Sequence, residues 1–303
     1  MQTDRPTATG ISIKPHYSYA YRYSLIQSPR IKLPPKRKHG LTELSRKAKS
    51  RMISAVQWMM FLSPMHSVFC KELLRPVRFR LNFITLTLSG VQVHTDKFIL
   101  HRMLIPFLKW MRRKGATLYV WKAEVQDNGN IHFHITTNHY LHWRSIRNKW
   151  NGLQHGFGYL KKYFDEHGDH DPNSTDVHAV RNEKTIVGYM SKYLIKNDRY
   201  KKNQSLICTD TTHYYFEHLN KVDEKGKKLK RYVDVKVWSC SERLSKIRLS
   251  VTEECKEFKL IDEILQKEST AQKLDHGTLY LYRNRDTFKK IFQTFEESEL
   301  NYS

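Results

Sequence analysis

The sequence predicts an α+β fold in which helices flank one antiparallel sheet. Segments in which apolar and polar residues alternate, as they do in strands, are interleaved with segments whose apolar residues recur at helical spacing. From residue 81 onward these segments follow the order β, α, β, β, α, β, α, which is typical of a mixed fold built on a single antiparallel sheet. A chain of 303 residues is also long enough to bury a sizeable core.

The first 76 residues are predicted to form a basic N-terminal region. Residues 1–40 contain five prolines, a tyrosine at every second position from 17 to 23, and the basic run Lys36-Arg37-Lys38. Frequent prolines and like charges predict a flexible basic arm. A helix is predicted from 41 to 62, with its Lys and Arg cluster at 46–51 facing solvent or phosphate.

The middle of the chain, residues 77–200, contains the clearest pattern and is predicted to be the catalytic domain. Strands are predicted at 81–88, 117–126, 130–137 and 176–180. Helices are predicted from Thr95 or Asp96 to about 113, at 143–153 and at 183–196, with a polar loop that runs to Pro172. We predict that residues 201–303 form an accessory region of mixed α and β structure and unknown role. Its strands are predicted at 214–216 and 232–238, and its helices at 253–265 and 285–295.

The composition favours nucleic acid as the partner. Lys and Arg number 53 against 30 Asp and Glu, so the formal net charge is +23 and the pI about 9.8. Such an excess favours a polyanion, nucleic acid before an anionic membrane, and an aromatic content of 12% suits stacking on unpaired bases. A basic protein of the ribosomal or chromatin kind would have the same charge without any enzymatic activity.

Several classes of protein are disfavoured. The four cysteines have neither a CxxC motif nor zinc-ligand spacing, which predicts ordinary reduced thiols. No apolar run is long enough for a membrane span, so we expect no membrane partner and no export. No P-loop motif occurs, which argues against a fused helicase or ATPase.

The triplet His132-Phe133-His134 predicts a metal site. On a strand both histidines project from one face while Phe133 enters the core on the other. If residues 127–129 form a three-residue hairpin loop with Gly129 in the left-handed conformation, Glu124 lies opposite His132 and joins the site. If Asn128 and Gly129 instead form a two-residue turn, Glu124 lies on the opposite face. A His, His, carboxylate set suits a hard divalent ion with waters remaining.

A second motif suggests a nucleophile. On the predicted helix at 183–196, Tyr189 and Tyr193 stand at i and i+4, so they lie on the same side, with Lys192 beside them. Taken alone, the tyrosines are better explained as core aromatics and the lysine as an exposed charge. A metal pair and a tyrosine pair in one strongly basic chain together favour phosphodiester chemistry.

Two further segments allow alternatives. Residues 166–171 are rich in His and Asp but lie in the polar loop, where a solvated turn is expected more often than a second metal site. Arg144 and Arg147 alternate with tryptophans at helical spacing, which fits either DNA contact or packing on the sheet. Together with Lys196 they are the candidate DNA-binding residues.

These motifs resemble those of the HUH endonucleases, in particular the two-tyrosine initiators of rolling-circle replication. The strand Phe83 to Leu88 with alternating threonines resembles the first family motif, His132-Phe133-His134 the second, and Tyr189-Met190-Ser191-Lys192-Tyr193 the third. With Leu194-Ile195-Lys196, the third motif resembles initiators of small single-stranded DNA bacteriophages and of plasmids. The resemblance covers residues 78–200, and the rest of the chain matches nothing in the family.

The resemblance implies an RRM-like antiparallel sheet and metal-dependent nicking of origin DNA through a 5′-phosphotyrosine intermediate, followed by strand joining. It implies Mg²⁺ or Mn²⁺ at Glu124, His132 and His134, with Tyr189, Tyr193 and Lys192 as catalytic residues. Expected partners are single-stranded origin DNA and a host helicase and polymerase, in the cytoplasm of a bacterial host. The alternatives are an HUH transposase or relaxase, or a non-catalytic basic nucleic-acid-binding protein.

Overall fold

The computed structural model describes residues 7–25, 46–70, 74–126, 128–180, 233, 235–247 and 249–300. The strands are β1 (Thr7–Lys14), β2 (Tyr17–Ser24), β3 (His66–Cys70), β4 (Arg75–Phe79), β5 (Leu81–Leu86), β6 (Tyr119–Val125), β7 (Ile131–Thr137), β8 (Thr175–Val180), β9 (Trp238–Cys240), β10 (Leu249–Thr252), β11 (Ser269–Leu274) and β12 (Gly277–Tyr282). The helices are α1 (Arg46–Leu62), α2 (Asp96–Ile99), α3 (Ile105–Arg113), α4 (Trp143–His155), α5 (Lys161–His167), α6 (Glu242–Lys246), α7 (Glu257–Glu268) and α8 (Arg285–Leu300).

The α+β fold class predicted from the sequence is confirmed. The chain forms two compact units, one with the described residues of 1–36 and 246–303 and the other with those of 37–245. The domain boundaries at 76 and 200 that the sequence suggests stay a prediction. Among the described residues, no helix has the length and apolar character needed to cross a membrane.

The unit within residues 37–245 is built on a five-stranded sheet in the order β8-β5-β7-β6-β9. Every neighbouring pair in this sheet is antiparallel. Strands β5 to β8 and their helices follow the β-α-β-β-α-β order of a split βαβ fold, which places β5 and β7 at the centre. Because β7 is paired with a neighbouring strand on each side, the His-Phe-His triplet lies on a strand that is hydrogen-bonded along both edges.

Side-chain alternation separates the two faces of this sheet. Phe133 points away from both histidines and is fully buried in a core with Ile84 and Ile135. Helices α2 to α4 cover this face, and the ring of Trp150 on α4 lies 6.4 Å from that of Phe133. The apolar face is therefore closed by helices, and the polar face that contains the histidines is the other one.

The helical segment after β5 begins as the sequence predicts but contains an irregularity. The hydroxyl of Thr95 accepts a hydrogen bond from the backbone N–H of Phe98, which caps α2. A π-helical turn at Leu100–Leu104 separates α2 from α3, so the segment from 96 to 113 is helical throughout but not uniformly α-helical. Its buried residues still face the sheet.

The other unit is a two-layer structure. Its sheet has the order β10-β1-β2-β12-β11, and α7 and α8 pack against it. Ile11 and Ile13 of β1, which are fully buried, and Phe288 and Ile291 of α8 belong to its core.

The prediction of a flexible basic arm is wrong for residues 7–24, which form β1 and β2. The tyrosines at every second position from 17 to 23, and the pair Ile11 and Ile13, have the period of a strand, and this pattern outweighs the nearby prolines. Pro15 lies in the turn between the two strands, where a proline does not interrupt the pairing.

Other predictions need smaller corrections. The segment predicted as a polar loop contains α5, which ends at Gly168 in the left-handed conformation. The strand predicted at 232–238 shares only Trp238 with β9, because residues 235–237 are not in a strand. The predicted C-terminal helices appear as α7 and α8. Strands β3, β4, β10, β11 and β12 were not predicted. The strand predicted at 214–216 and the helix predicted at 183–196 lie outside the described residues.

Candidate metal centre

The loop of the β6–β7 hairpin has three residues, which decides between the two turns that the sequence allows. The backbone N–H of Gln126 donates to the carbonyl of Asn130 at 2.8 Å, and Gly129 has a φ of 86°. Glu124 therefore lies directly opposite His132 in the register. The two-residue turn is wrong, and the carboxylate lies on the same face as the two histidines.

Three side chains converge on one point of that face. Oε2 of Glu124 lies 3.5 Å from Nε2 of His132 and 3.6 Å from Nε2 of His134. All three ligand atoms lie within 4.8 Å of one another. Ligand atoms bound to a common ion at about 2.0–2.3 Å lie about 3–4 Å apart, so this spacing fits a shared cation. The cluster could hold a metal ion.

The environment of His132 supports this interpretation. Both of its ring nitrogens are buried, and among the described residues neither has a hydrogen-bond partner. The 3.5 Å separation from Glu124 is too long for an ordinary N–H···O bond. Because a buried polar nitrogen without a partner is unfavourable, a ligand at Nε2 would remove part of this cost.

A hydroxyl group next to Nδ1 of His134 orients its ring. Its Nδ1 lies 3.2 Å from the hydroxyl of Thr85 on the neighbouring strand β5. Histidines that ligate metals usually bond through their second ring nitrogen to such a group, which fixes the ring and leaves Nε2 available. Thr85 thus holds Nε2 of His134 toward Glu124.

A lysine also belongs to this cluster. Lys122 lies two residues before Glu124 on β6, hence on the same face, and opposite His134 in the register. Its side chain is 9% exposed, and its ammonium forms an ion pair with Oε1 of Glu124. The cluster therefore combines two imidazoles, a carboxylate and an ammonium within one largely buried site.

The electrostatics keep the ligands in the protonation states that a metal requires. Burial alone would raise the pKa of Glu124, but the imidazoles of His132 and His134 and the ammonium of Lys122 together hold it well below its ordinary value. Burial lowers the pKa of His134, against the opposing attraction of Glu124. At neutral pH the carboxylate is ionised and His134 is neutral, as metal ligation needs.

A buried amide fixes the hairpin from outside the site. Gln92 is 1% exposed, and its side-chain oxygen accepts from the backbone N–H of Ile131, the residue before His132, at 2.7 Å. Its side-chain nitrogen donates to the carbonyl of His94 at 2.9 Å and to Asp96 at 2.8 Å. Gln92 thus ties the first residue of β7 to the loop before α2.

The sheet face that carries the cluster is buried in its middle strands and exposed at one edge. Phe83, Val120 and Thr136 are buried on it, and α1 contacts β6 and β9. The edge strand β8 presents Asp176 and His178, which are paired at 2.9 Å and largely exposed. Asp176 lies opposite Thr85, so this exposed edge is two strands away from His134.

The structure does not bring every predicted site residue to this cluster. Arg144 and Arg147 lie on α4, which packs on the opposite face of the sheet. Arg147 bonds the side chain of Asn173 at 2.5 Å, and both guanidinium groups lie within about 5 Å of the ring of Trp143. Structural contacts account for much of their environment, and their binding to DNA stays a prediction.

The remaining candidates fall into two groups. Within the described part of the chain, residues 166–171 contribute to no second group of three metal-ligating side chains. His170 instead stacks on Phe164 at 4.4 Å. The catalytic candidates Tyr189, Lys192 and Tyr193, and the candidate DNA contact Lys196, lie outside the described residues.

The sequence analysis missed Lys122 and Gln92. Lys122 and Glu124 have the period of a strand, so the alternation that paired His132 with His134 could also have placed Lys122 on the site face. No sequence signal identifies Gln92, because its partners are backbone groups of residues distant along the chain.

Residues 81–198 match the model of a protein family described as replication-associated protein ORF2. The match covers about two fifths of the chain and includes the Glu124-His132-His134 cluster together with Tyr189, Lys192 and Tyr193. No curated protein and no solved structure matches the chain. The family match supports a role in the initiation of replication.

Proposed function

We propose that this protein initiates rolling-circle replication by nicking and rejoining single-stranded origin DNA with a tyrosine nucleophile. One observation supports this most strongly. The sheet face of β6 and β7 gathers Glu124, His132 and His134 within 4.8 Å, inside the segment that is similar to replication-associated proteins.

The ligand set suits Mg²⁺ or Mn²⁺. Two imidazoles and one carboxylate leave coordination positions for water and for a phosphate oxygen. When bound, the ion would polarise and orient the scissile phosphodiester. Glu124 and the two histidines would hold that ion, and Thr85 keeps His134 in an orientation that suits ligation.

Tyr189 would supply the nucleophile. Its hydroxyl loses a proton, its oxygen forms a bond to phosphorus, and the bond from phosphorus to the 3′ oxygen breaks. The leaving oxygen takes up a proton and becomes a free 3′-hydroxyl, while the 5′ end stays attached to the tyrosine. Lys192 favours the phenolate through its positive charge, because an unperturbed tyrosine has a pKa of about 10.

Tyr193 would perform the second cleavage. On the helix predicted from the sequence it would lie one turn after Tyr189, so it could attack the next origin copy while the first 5′ end remains bound. The new 3′-hydroxyl then attacks the first phosphotyrosine, which forms a phosphodiester and releases the tyrosine hydroxyl. The displaced strand is thereby closed into a circle.

This chemistry requires other proteins. A free 3′-hydroxyl is a primer for a polymerase, and the chain has no P-loop for unwinding duplex DNA. We therefore propose a helicase and a polymerase of a bacterial host as partners, in the host cytoplasm.

Phenylalanine substitutions test the tyrosines. A single-stranded origin oligonucleotide is incubated with Mn²⁺ and each variant, and covalent adducts are separated on denaturing gels. Adduct that persists in Tyr189→Phe would show that Tyr193 can act alone. Adduct that persists in the Tyr189→Phe/Tyr193→Phe variant would eliminate the mechanism. Loss of adduct in Tyr189→Phe and in this double variant, with normal metal binding, supports it.

A further inference from the structure

The sheet of the smaller unit presents a row of tyrosines that the proposed function does not use. Tyr17, Tyr19, Tyr21 and Tyr23 occupy every second position of β2, the middle strand of that sheet, and so share one face. All four are partly exposed. We define these four residues as the tyrosine row.

The tyrosine row lies on the face opposite the core of this unit. The neighbouring residue Ser18 is fully buried, and it bonds Tyr282 on the face that α7 and α8 cover. The ring of Tyr282 stacks on Phe288 of α8 at 6.2 Å. The described helices of this unit therefore cover only the other side of the sheet.

The tyrosines on the two faces of this sheet differ in the hydrogen bonds of their hydroxyl groups. On the covered face, Tyr280 bonds the side chain of Gln266 at 3.0 Å and Tyr282 bonds Ser18 at 2.7 Å. Within the described part of the chain, no hydroxyl of the tyrosine row has a hydrogen-bond partner. The hydroxyl groups of Tyr280 and Tyr282 therefore bond within the fold, whereas the tyrosine row lies on a partly exposed face.

Small residues beside β2 let the rings lie close to the backbone. A Cβ added at Gly10 would lie 2.9 Å from the ring of Tyr21, and one added at Gly277 would lie 3.0 Å from the ring of Tyr19. The rings of Tyr19 and Tyr21 are 6.2 Å apart and nearly parallel at 16°. Two aligned rings above side-chain-free positions form an ordered aromatic platform.

The charges on this face suit a polyanion. By the strand register, Lys14 lies beside Tyr17 on the same face, and Ser12 lies beside Tyr19. Thr252 and Gln272 lie on the flanking strands. Leu274, Leu279 and Leu281 also lie on this face. In its described strands the face has no carboxylate and one ammonium group, that of Lys14, so a phosphate backbone would meet hydroxyl, amide and ammonium groups beside apolar side chains.

We infer that the tyrosine row is a second binding surface for single-stranded DNA, in which bases stack on Tyr19 and Tyr21. Aromatic side chains on a sheet bind unpaired bases regardless of sequence, because every base has a flat face. The choice of DNA as the ligand rests on the proposed function, whereas the surface itself lies outside the segment similar to replication-associated proteins. The surface would hold the displaced strand while the metal centre acts on the origin.

The test uses the full chain and a fluorescent oligothymidylate in EDTA, where metal-dependent cleavage does not contribute. The Tyr19→Leu/Tyr21→Leu double variant should bind about 30-fold more weakly if each ring contributes about 1 kcal/mol, the lower end for base stacking. The Tyr19→Phe/Tyr21→Phe variant keeps both rings and should bind within about threefold of the wild type. Equal loss in the two variants, or no loss in either, would overturn the inference.

A measurement on the wild-type protein guards against misfolding of the leucine variant. An oligonucleotide containing 5-iodouracil is crosslinked by light, and the attached peptides are identified by mass spectrometry. Crosslinks within residues 17–23 support the inference. Crosslinks only elsewhere, or a wild-type dimer that the leucine variant converts to monomer, would overturn it and assign the row to protein contact.

The failure of this inference can be told from failure of the proposed function. In Mn²⁺ the leucine variant should still form the covalent adduct at saturating oligonucleotide. An absent adduct in the wild type with normal binding in EDTA would contradict the metal-dependent mechanism alone.

Discussion

Replacing Gln92 with leucine should destabilise the larger of the two units, the one within residues 37–245, and weaken metal binding. The side chain is 1% exposed and makes hydrogen bonds of 2.7, 2.8 and 2.9 Å to Ile131, Asp96 and His94. At about 1 kcal/mol for each bond, the loss is about 3 kcal/mol in the free energy of unfolding. Because Ile131 precedes His132, we also expect metal affinity to fall about tenfold, as for outer-shell groups.

Gln154→Leu is the matched control. Gln154 is equally buried, accepts from the backbone N–H of Ser89 at 2.7 Å and donates to Asn151 at 3.3 Å, and among the described residues its side chain forms no hydrogen bond to β6 or β7. The Gln154→Leu variant should lose about 2 kcal/mol in the free energy of unfolding and keep its metal affinity.

Two assays separate these effects. Urea unfolding followed by tryptophan fluorescence reports on the larger unit, because all six tryptophans lie between residues 58 and 238. Calorimetric titration with Mn²⁺ gives the affinity under folding conditions. Equal metal affinities in Gln92→Leu and Gln154→Leu would refute the idea that Gln92 positions the hairpin.

Three further predictions concern the cluster itself. Lys122→Met should tighten Mn²⁺ binding severalfold in calorimetry, because the ammonium competes with the ion for Glu124; weaker binding would contradict this, and Lys122→Arg should resemble the wild type. Metal affinity should fall as the pH decreases, since a proton competes with the ion for the imidazole of His134. Burial lowers the pKa of His134, so its share of the loss should develop below pH 6.5 in a titration series, and a loss centred above 6.5 would count against this. Thr85→Val should weaken Mn²⁺ binding about tenfold through lost orientation of His134, whereas Thr87→Val, which loses only a bond to a loop carbonyl, should not.

Side-chain periodicity was enough to predict most of the candidate metal centre. The alternation of His132, Phe133 and His134 indicated which side chains share a face, and the structure agrees because β7 is central and has one apolar and one polar face. The position of Glu124 depended on the loop length, which the sequence left open. The backbone bond from Gln126 to Asn130 decides it.

The N-terminal region was the largest error. Composition suggested an unstructured arm, but β1 and β2 are stabilised by strands more than 200 residues away, β10 and β12. Pairing over such a distance leaves no local signal beyond the alternation of Tyr17 to Tyr23. For the same reason the contacts of Gln92 with Ile131 could not be predicted.

Adduct formation on a single-stranded origin oligonucleotide, with and without Mn²⁺, tests the central claim most directly. It compares the wild type with His134→Ala and His178→Ala. His178 lies on the same sheet face but is largely exposed and pairs with Asp176, outside the cluster. The account predicts metal-dependent adduct in the wild type and in His178→Ala, and none in His134→Ala. Adduct formed without metal, or retained in His134→Ala, would contradict it.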